Sequence, residues 1–246
     1  METNVSTTRL TKRASAGAFV LAATLGLGAT SVLPAHSAVV AAAPSATTTT
    51  VELKSATVAY GDTSKVVVTV DTATNGGPKP VGKVELKVGD KTLVADVPNS
   101  GKVAFDLPLL GVSTTPYAVT ATFIPTDPMA FSTSSAPPRS VTVTKDVTSS
   151  KVTARHRALK RQIIAKNFVT SANGQVPTGE VKFVLRRNGR KIATSVVSLN
   201  GTSDASRNFA KTKFLNVPNT GSYKVVATYL GNANFLASRG SYRIIG

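Results

Sequence analysis

The chain holds 246 residues, no cysteine and a formal net charge of +17, which excludes disulfides and thiolate metal centres. Its 41% hydrophobic content is ordinary for a globular protein. The length suits one large domain or two of about 100 residues, each able to bury a core without covalent staples.

The first predicted element is a leader. Arg9, Lys12 and Arg13 precede an apolar, small-residue run from Ala14 to Leu33, and "PAHSAVVAAAPSA" follows. That order reads as a secretory signal peptide over residues 1–37 and a linker over 38–46, with cleavage between Ser37 and Ala46. The alternative is an uncleaved anchor, for which a run so rich in Gly, Ala, Ser and Thr makes a weak span. The mature chain is expected to be secreted or held at the cell surface. No sorting motif is read after the last strand, so surface retention is expected to be non-covalent or through the leader.

Seven strands are predicted next: "TTTTVELK", "KVVVTVD", "KVELKV", "KTLVADV", "KVAFDL", "YAVTATFI" and "SVTVTK". Seven more follow: "SSKVTA", "QIIAKNFVT", "VKFVLRR", "KIATSVVS", "NFAKTKF", "YKVVATYL" and "SYRII". Alternation is clear in several; Tyr117, Val119, Ala121 and Phe123 share one face, as do Tyr223, Val225, Ala227 and Tyr229. Asn188-Gly189 is a strong two-residue hairpin signal, because both central residues must take positive φ, and Gly89-Asp90 is its weaker counterpart. No segment of helical periodicity longer than two turns is read outside the leader.

The two sets are copies of one unit. "PVGKVELKV" at Pro80 matches "PTGEVKFVL" at Pro177, and "YAVTATF" at Tyr117 matches "YKVVATY" at Tyr223. Gly82 and Gly179 are 97 residues apart and Tyr117 and Tyr223 are 106 apart, which places nine extra residues in the second copy, around "NGTSDASRNF". "ATFIPTDPMAF" at Ala121 is echoed by "ATYLGNANF" at Ala227. Seven short strands per copy predict an all-β fold: two tandem immunoglobulin-like β-sandwich domains after an N-terminal signal peptide, over 47–146 and 147–246. The antibody Cys and Trp hallmarks are missing, but Tyr117 and Tyr223 are placed to serve as corner residues. The link Thr144–Val152 is short, so the copies are expected to join head to tail with limited hinge freedom.

A Thr-rich first strand, Pro-x-Gly-x-Val, Tyr-x-Val-x-Ala-Thr-Tyr and Gly-Asn-x-Asn-Phe together resemble the bacterial Ig-like (Big) repeat domains of secreted and surface proteins. The second copy carries the pattern at Tyr229, Gly231, Asn232, Asn234 and Phe235, followed by Ala237 and Ser238. The first departs from it, with Phe123 and Pro125 in place of the Tyr and the Gly. The resemblance implies the fold and a role as a spacer or adhesive module, with no catalytic residues to carry over.

Charge separates the copies. Residues 46–150 hold nine Lys/Arg and nine Asp/Glu, whereas 151–246 hold seventeen and two, Glu180 and Asp204. Sandwich geometry predicts one outward sheet face carrying Lys182, Arg186, Lys224, Arg239 and Arg243. Arg187, Arg190 and Lys191 crowd the adjoining hairpin. Arg155, Arg157, Lys160 and Arg161 form a second cluster, placed between the first two strands of the copy. In one reading this surface docks on an anionic cell-surface or extracellular polymer, such as a wall polymer, glycan, lipid headgroup or extracellular nucleic acid. In the other, the charge only solvates the domain and blunts its edges.

No clustered titratable set is found. The lone post-leader histidine, His156, sits among arginines and is expected at the surface. Carboxylates for metal or glycosidase chemistry are missing from the basic copy, and no nucleophile elbow or phosphate loop occurs. The expectation is a non-enzymatic protein with no cofactor, no metal site and no small-molecule substrate, and with a possible protein partner. A purely structural spacer is the alternative. No recognised module or stacking aromatic platform is read, which sets sequence-specific nucleic-acid binding aside.

Overall fold

The computed structural model describes residues 43–74, 76–204 and 207–244, with side chains described except at 202–204. The signal-peptide assignment and most of the linker lie outside the described residues. The described chain is all-β, with one single-turn 3-10 helix at Ala158–Lys160.

In the N-terminal half the strands are β1 (Thr47–Leu53), β2 (Thr57–Ala59), β3 (Lys65–Thr72), β4 (Gly82–Val88), β5 (Lys91–Asp96), β6 (Lys102–Asp106), β7 (Tyr117–Pro125), β8 (Ser134–Ser135) and β9 (Arg139–Thr144). One sheet runs β1-β3-β6 and the other β2-β9-β7-β4-β5, with β8 beside β7. Pairing is antiparallel except between β2 and β9, where Thr57, Val58 and Ala59 run parallel to Thr142, Val143 and Thr144. Period-two alternation drives Val66, Val68 and Val70 from one sheet and Val84, Leu86, Val119, Ala121 and Phe123 from the other into a shared core. Each such Val, Leu or Phe side chain contributes about 1.5–3 kcal/mol on burial.

The C-terminal half contains β10 (Thr148–Arg157), β11 (Gln162–Ser171), β12 (Glu180–Arg187), β13 (Arg190–Ser198), β14 (Gly201–Asp204), β15 (Arg207–Phe214), β16 (Tyr223–Tyr229) and β17 (Ser238–Ile244). Its sheets run β10-β11-β15-β14 and β13-β12-β16-β17. They enclose a separate core that includes Ile163, Ala165, Phe183, Leu185, Val225 and Tyr229. Every strand predicted from sequence is present. The short β2, β8 and β14 are additions, and β10 extends three residues past Ala154, to Arg157. The extra residues of the second copy make β14 and a longer β15.

The same local devices recur in both halves. Tyr117 Oη donates to the Gly111 carbonyl at 2.9 Å and Tyr223 Oη to the Pro218 carbonyl at 2.6 Å, each tying a strand start to the chain just upstream. Ser45 bridges to Phe131 as Asp146 bridges to Phe235. At the second hairpin, Asn188 and Gly189 take φ of 49° and 82°, the turn that the dipeptide predicts.

The "ATYLGNANF" stretch lies where the halves meet. Gly231 turns the chain at φ 73°, and Asn232 Oδ1 accepts the Asn234 and Phe235 amides at 2.8 and 3.0 Å. Asn234 Oδ1 then accepts the Val112 amide of the N-terminal half at 3.0 Å. Phe235, buried in the C-terminal core, also meets Tyr60 edge-on. Asn173 Nδ2 donates to the Tyr60 carbonyl at 3.3 Å.

Candidate functional site

Strand alternation builds the first candidate surface. Val181, Phe183 and Leu185 of β12 point into the core with no exposure, so Lys182, Val184 and Arg186 face out. Registers then align the cations across the sheet. Arg186 is opposite Lys191 of β13 and Lys224 of β16, and Lys224 is opposite Arg243 of β17. At a strand spacing of about 4.8 Å, the four cations Lys191, Arg186, Lys224 and Arg243 form one row about 15 Å long. The β-bulge at Leu185/Arg186 brings Lys191 into that row. A second row sets Lys182 and Arg239 on either side of Thr228. None of these six cations forms an ion pair with a described residue, whereas the N-terminal half pairs Lys65 with Asp106 at 2.7 Å and Lys87 with Glu85 at 3.1 Å. Glu180, at the far end of β12, is the one acid of this face among the described residues. A depression of about 280 Å³ lies over Arg186, Ser222, Lys224 and Arg243.

Other predicted cations are placed differently. Arg187 serves the fold, its Nε donating to the Thr220 carbonyl at 2.9 Å and its Nη2 to Thr220 Oγ1 at 3.0 Å. Arg190 is exposed in the hairpin. The second cluster is divided. Arg155 and Arg157 lie within β10, not between strands, because pairing with β11 continues to Arg157↔Gln162. Lys160 closes the 3-10 turn, and Arg161 follows it in the left-handed region at φ 43°, where its carbonyl accepts the Val217 amide at 2.8 Å.

One expectation is corrected here. His156 is half-buried, not on the surface; it shares β10's inner face with Val152, its ring stands 5.5 Å from that of Tyr223, and its Nε2 has no partner among the described residues. Tyr242 lies opposite the core residue Val225 and is 42% exposed, because β17 is an edge strand.

The sequence reading missed a second surface, the outer face of β10-β11-β15. Arg155 and Arg157 join Lys166, Lys211 and Lys213 around a shallow depression of about 490 Å³. Beside it stand two outward rings, Phe168 and Phe209, directly paired across β11 and β15 with centroids 5.7 Å apart. The two rings are half-buried and tilted at 50° to each other. Of the three Asn-Phe dipeptides, Asn167-Phe168 and Asn208-Phe209 turn the polar residue inward, whereas Asn234-Phe235 buries the ring, so the dipeptide alone does not mark this face.

No model of a known protein family matches the chain, and neither does any curated protein sequence. Among solved structures it is similar to a 1.5-MDa bacterial ice-binding adhesin, at 13% identity and a TM-score of 0.34, with 80% of this chain covering 63% of that one. It is also similar to Escherichia coli α2-macroglobulin activated by porcine elastase, at 12% identity and a TM-score of 0.35, over 80% of this chain and 22% of that one. A Salmonella α2-macroglobulin mutant matches at 11% identity and a TM-score of 0.32, over 79% and 16%. The chain therefore spans under two thirds of each of these proteins, and likenesses this distant assign it no activity.

Proposed function

We propose that the chain is a non-catalytic, exported surface module of two tandem immunoglobulin-like domains of the bacterial Big-repeat kind, whose second domain docks on an anionic polymer. The observation that carries the reading is the Lys191–Arg186–Lys224–Arg243 row. Like charges set directly opposite one another destabilise a sheet, so folding alone gives no reason for such a row. A ligand that neutralises it does, and each phosphate or sulfate engaged displaces counterions, making affinity fall steeply with salt. The neutral first domain argues against a general need for solubility. The close junction around Tyr60 and Phe235 suits the alternative, a spacer.

Retention of the full chain on heparin across a salt gradient tests the reading. Replacing Arg186, Lys224 and Arg243 with Gln is expected to lower the elution salt markedly without lowering the melting temperature. Equal elution of the variant and the parent would overturn it.

A further inference from the structure

The outer face of the other C-terminal sheet combines charge with exposed rings. On β11, Ile163, Ala165, Asn167 and Val169 turn inward while Ile164, Lys166, Phe168 and Thr170 turn outward; on β15, Asn208 is inward and Phe209 outward. Polarity is thus inverted at two adjoining sites. Asn167 is fully buried and Asn208 nearly so, at 0% and 5% exposure, while the phenylalanines beside them are only half-buried. The core loses by this arrangement. Asn167 Oδ1 has no partner among the described residues, a cost that a Phe-in, Asn-out order would avoid.

Register places the rings in one row and the cations in the next two. Lys151, Phe168, Phe209 and Gly201 lie across the sheet; Thr153, Lys166 and Lys211 form the next row, and Arg155, Ile164 and Lys213 the one after. Gly201 matters here, because a Cβ at that position would strike the Phe209 ring. The ring therefore lies over the glycine. Lys166 Nζ stands 4.7 Å from its centroid, and Arg207 Cζ stands 5.4 Å from that of Phe168. The equivalent face of the N-terminal half presents Val67, Thr69 and Ala104 in place of rings.

We propose that this face binds single-stranded nucleic acid, with unpaired bases stacking on Phe168 and Phe209 and the backbone running over Lys166, Lys211, Lys213, Arg155 and Arg157. An anionic glycan or wall polymer needs only the cations. A ligand with flat bases also uses the π faces, irrespective of sequence. Duplex bases are already stacked on one another and leave no free π face for these rings, so the ligand is single-stranded. Lys166 covers the Phe209 ring in the free protein and moves to a phosphate when a base takes its place. This proposal concerns the sheet opposite the Lys191–Arg243 row and stands independently of the function proposed above.

The test compares, on the full chain, a fluorescent oligothymidine with an abasic deoxyribose-phosphate oligomer of equal length, by anisotropy. Oligothymidine is expected to bind more tightly by about tenfold per stacked base. Phe168→Leu with Phe209→Leu abolishes that preference and leaves abasic affinity unchanged; Phe168→Tyr with Phe209→Tyr keeps it, which separates the ring's role from folding. The Arg186, Lys224 and Arg243 triple variant retains the preference even where its heparin affinity falls. Equal affinity for the two oligomers, or a preference that survives the leucine substitutions, overturns the proposal.

Discussion

Tyr60 and Phe235 meet edge-on across the boundary between the two halves, ring centroids 5.3 Å apart and planes at 88°. Phe235 is 3% exposed and belongs to the C-terminal core, while Tyr60 packs against both cores. Phe235→Ala is expected to cost about 3–5 kcal/mol. In a double-mutant cycle with Tyr60→Ala, urea denaturation should give a coupling of about 0.5–1.5 kcal/mol. Additive losses would mean that the halves are not coupled through these rings.

Lys224 stands between Arg186 and Arg243. Lys224→Thr removes the middle charge and substitutes a good strand former, so it should stabilise the protein by about 0.2–1 kcal/mol at low ionic strength. The gain should shrink at roughly molar salt, where the screening length is about 3 Å. Thermal melts at the two salt concentrations measure it. A destabilised variant would show that the stem of Lys224 matters more than its charge.

Tyr229 is fully buried and its Oη donates to the Thr178 carbonyl at 2.6 Å. Burial pushes its hydroxyl up from 10.0 to about 12. The folded state therefore keeps this proton after the unfolded state has lost it. The associated stability is complete below pH 10 and is lost as pH rises toward 12, by about 2–3 kcal/mol. Tyr229→Phe should flatten that part of the stability–pH curve relative to the parent. Parallel curves would refute the assignment.

Asn167 donates through Nδ2 to Ser150 Oγ at 3.2 Å, and Ser150 Oγ also lies 2.9 Å from Ser238 Oγ. Asn167→Val removes an unsatisfied acceptor while Ser150 keeps a partner, and should stabilise the fold by about 1 kcal/mol in chemical denaturation. A loss of stability would show that the amide is a net contributor.

Strand alternation, Asn188-Gly189 and the strand-opening tyrosines made most of the fold legible, because packing and turn chemistry leave local marks. The Arg186, Lys224 and Arg243 face was legible for the same reason, since its inward neighbours are unambiguous. What escaped depends on pairing. Lys191 enters the row through a bulge, Arg187 is drawn to Thr220 by a turn 33 residues away, and β10 continues to Arg157 because β11 is there to receive it. The Phe168–Phe209 pair was hidden for a different reason: hydrophobicity normally marks the inside, as it does along the rest of these strands, and at these two positions it marks the outside.

The parallel pairing of β2 with β9 has a mechanical consequence. Drawing the chain out from its ends pulls these segments in opposite directions along their length, so the bonds across Thr57–Ala59 and Thr142–Thr144, together with that from the Tyr60 amide to the Thr144 carbonyl at 2.8 Å, share the tension at once. Among the described residues, the parallel contact of the C-terminal half is the isolated bridge between Asp146 and Phe235, the counterpart of that between Ser45 and Phe131, and no parallel strand pair stands beside it. Under a steady extension the basic half should give way first and the neutral half hold longer, two force steps that a single-molecule pulling record would resolve.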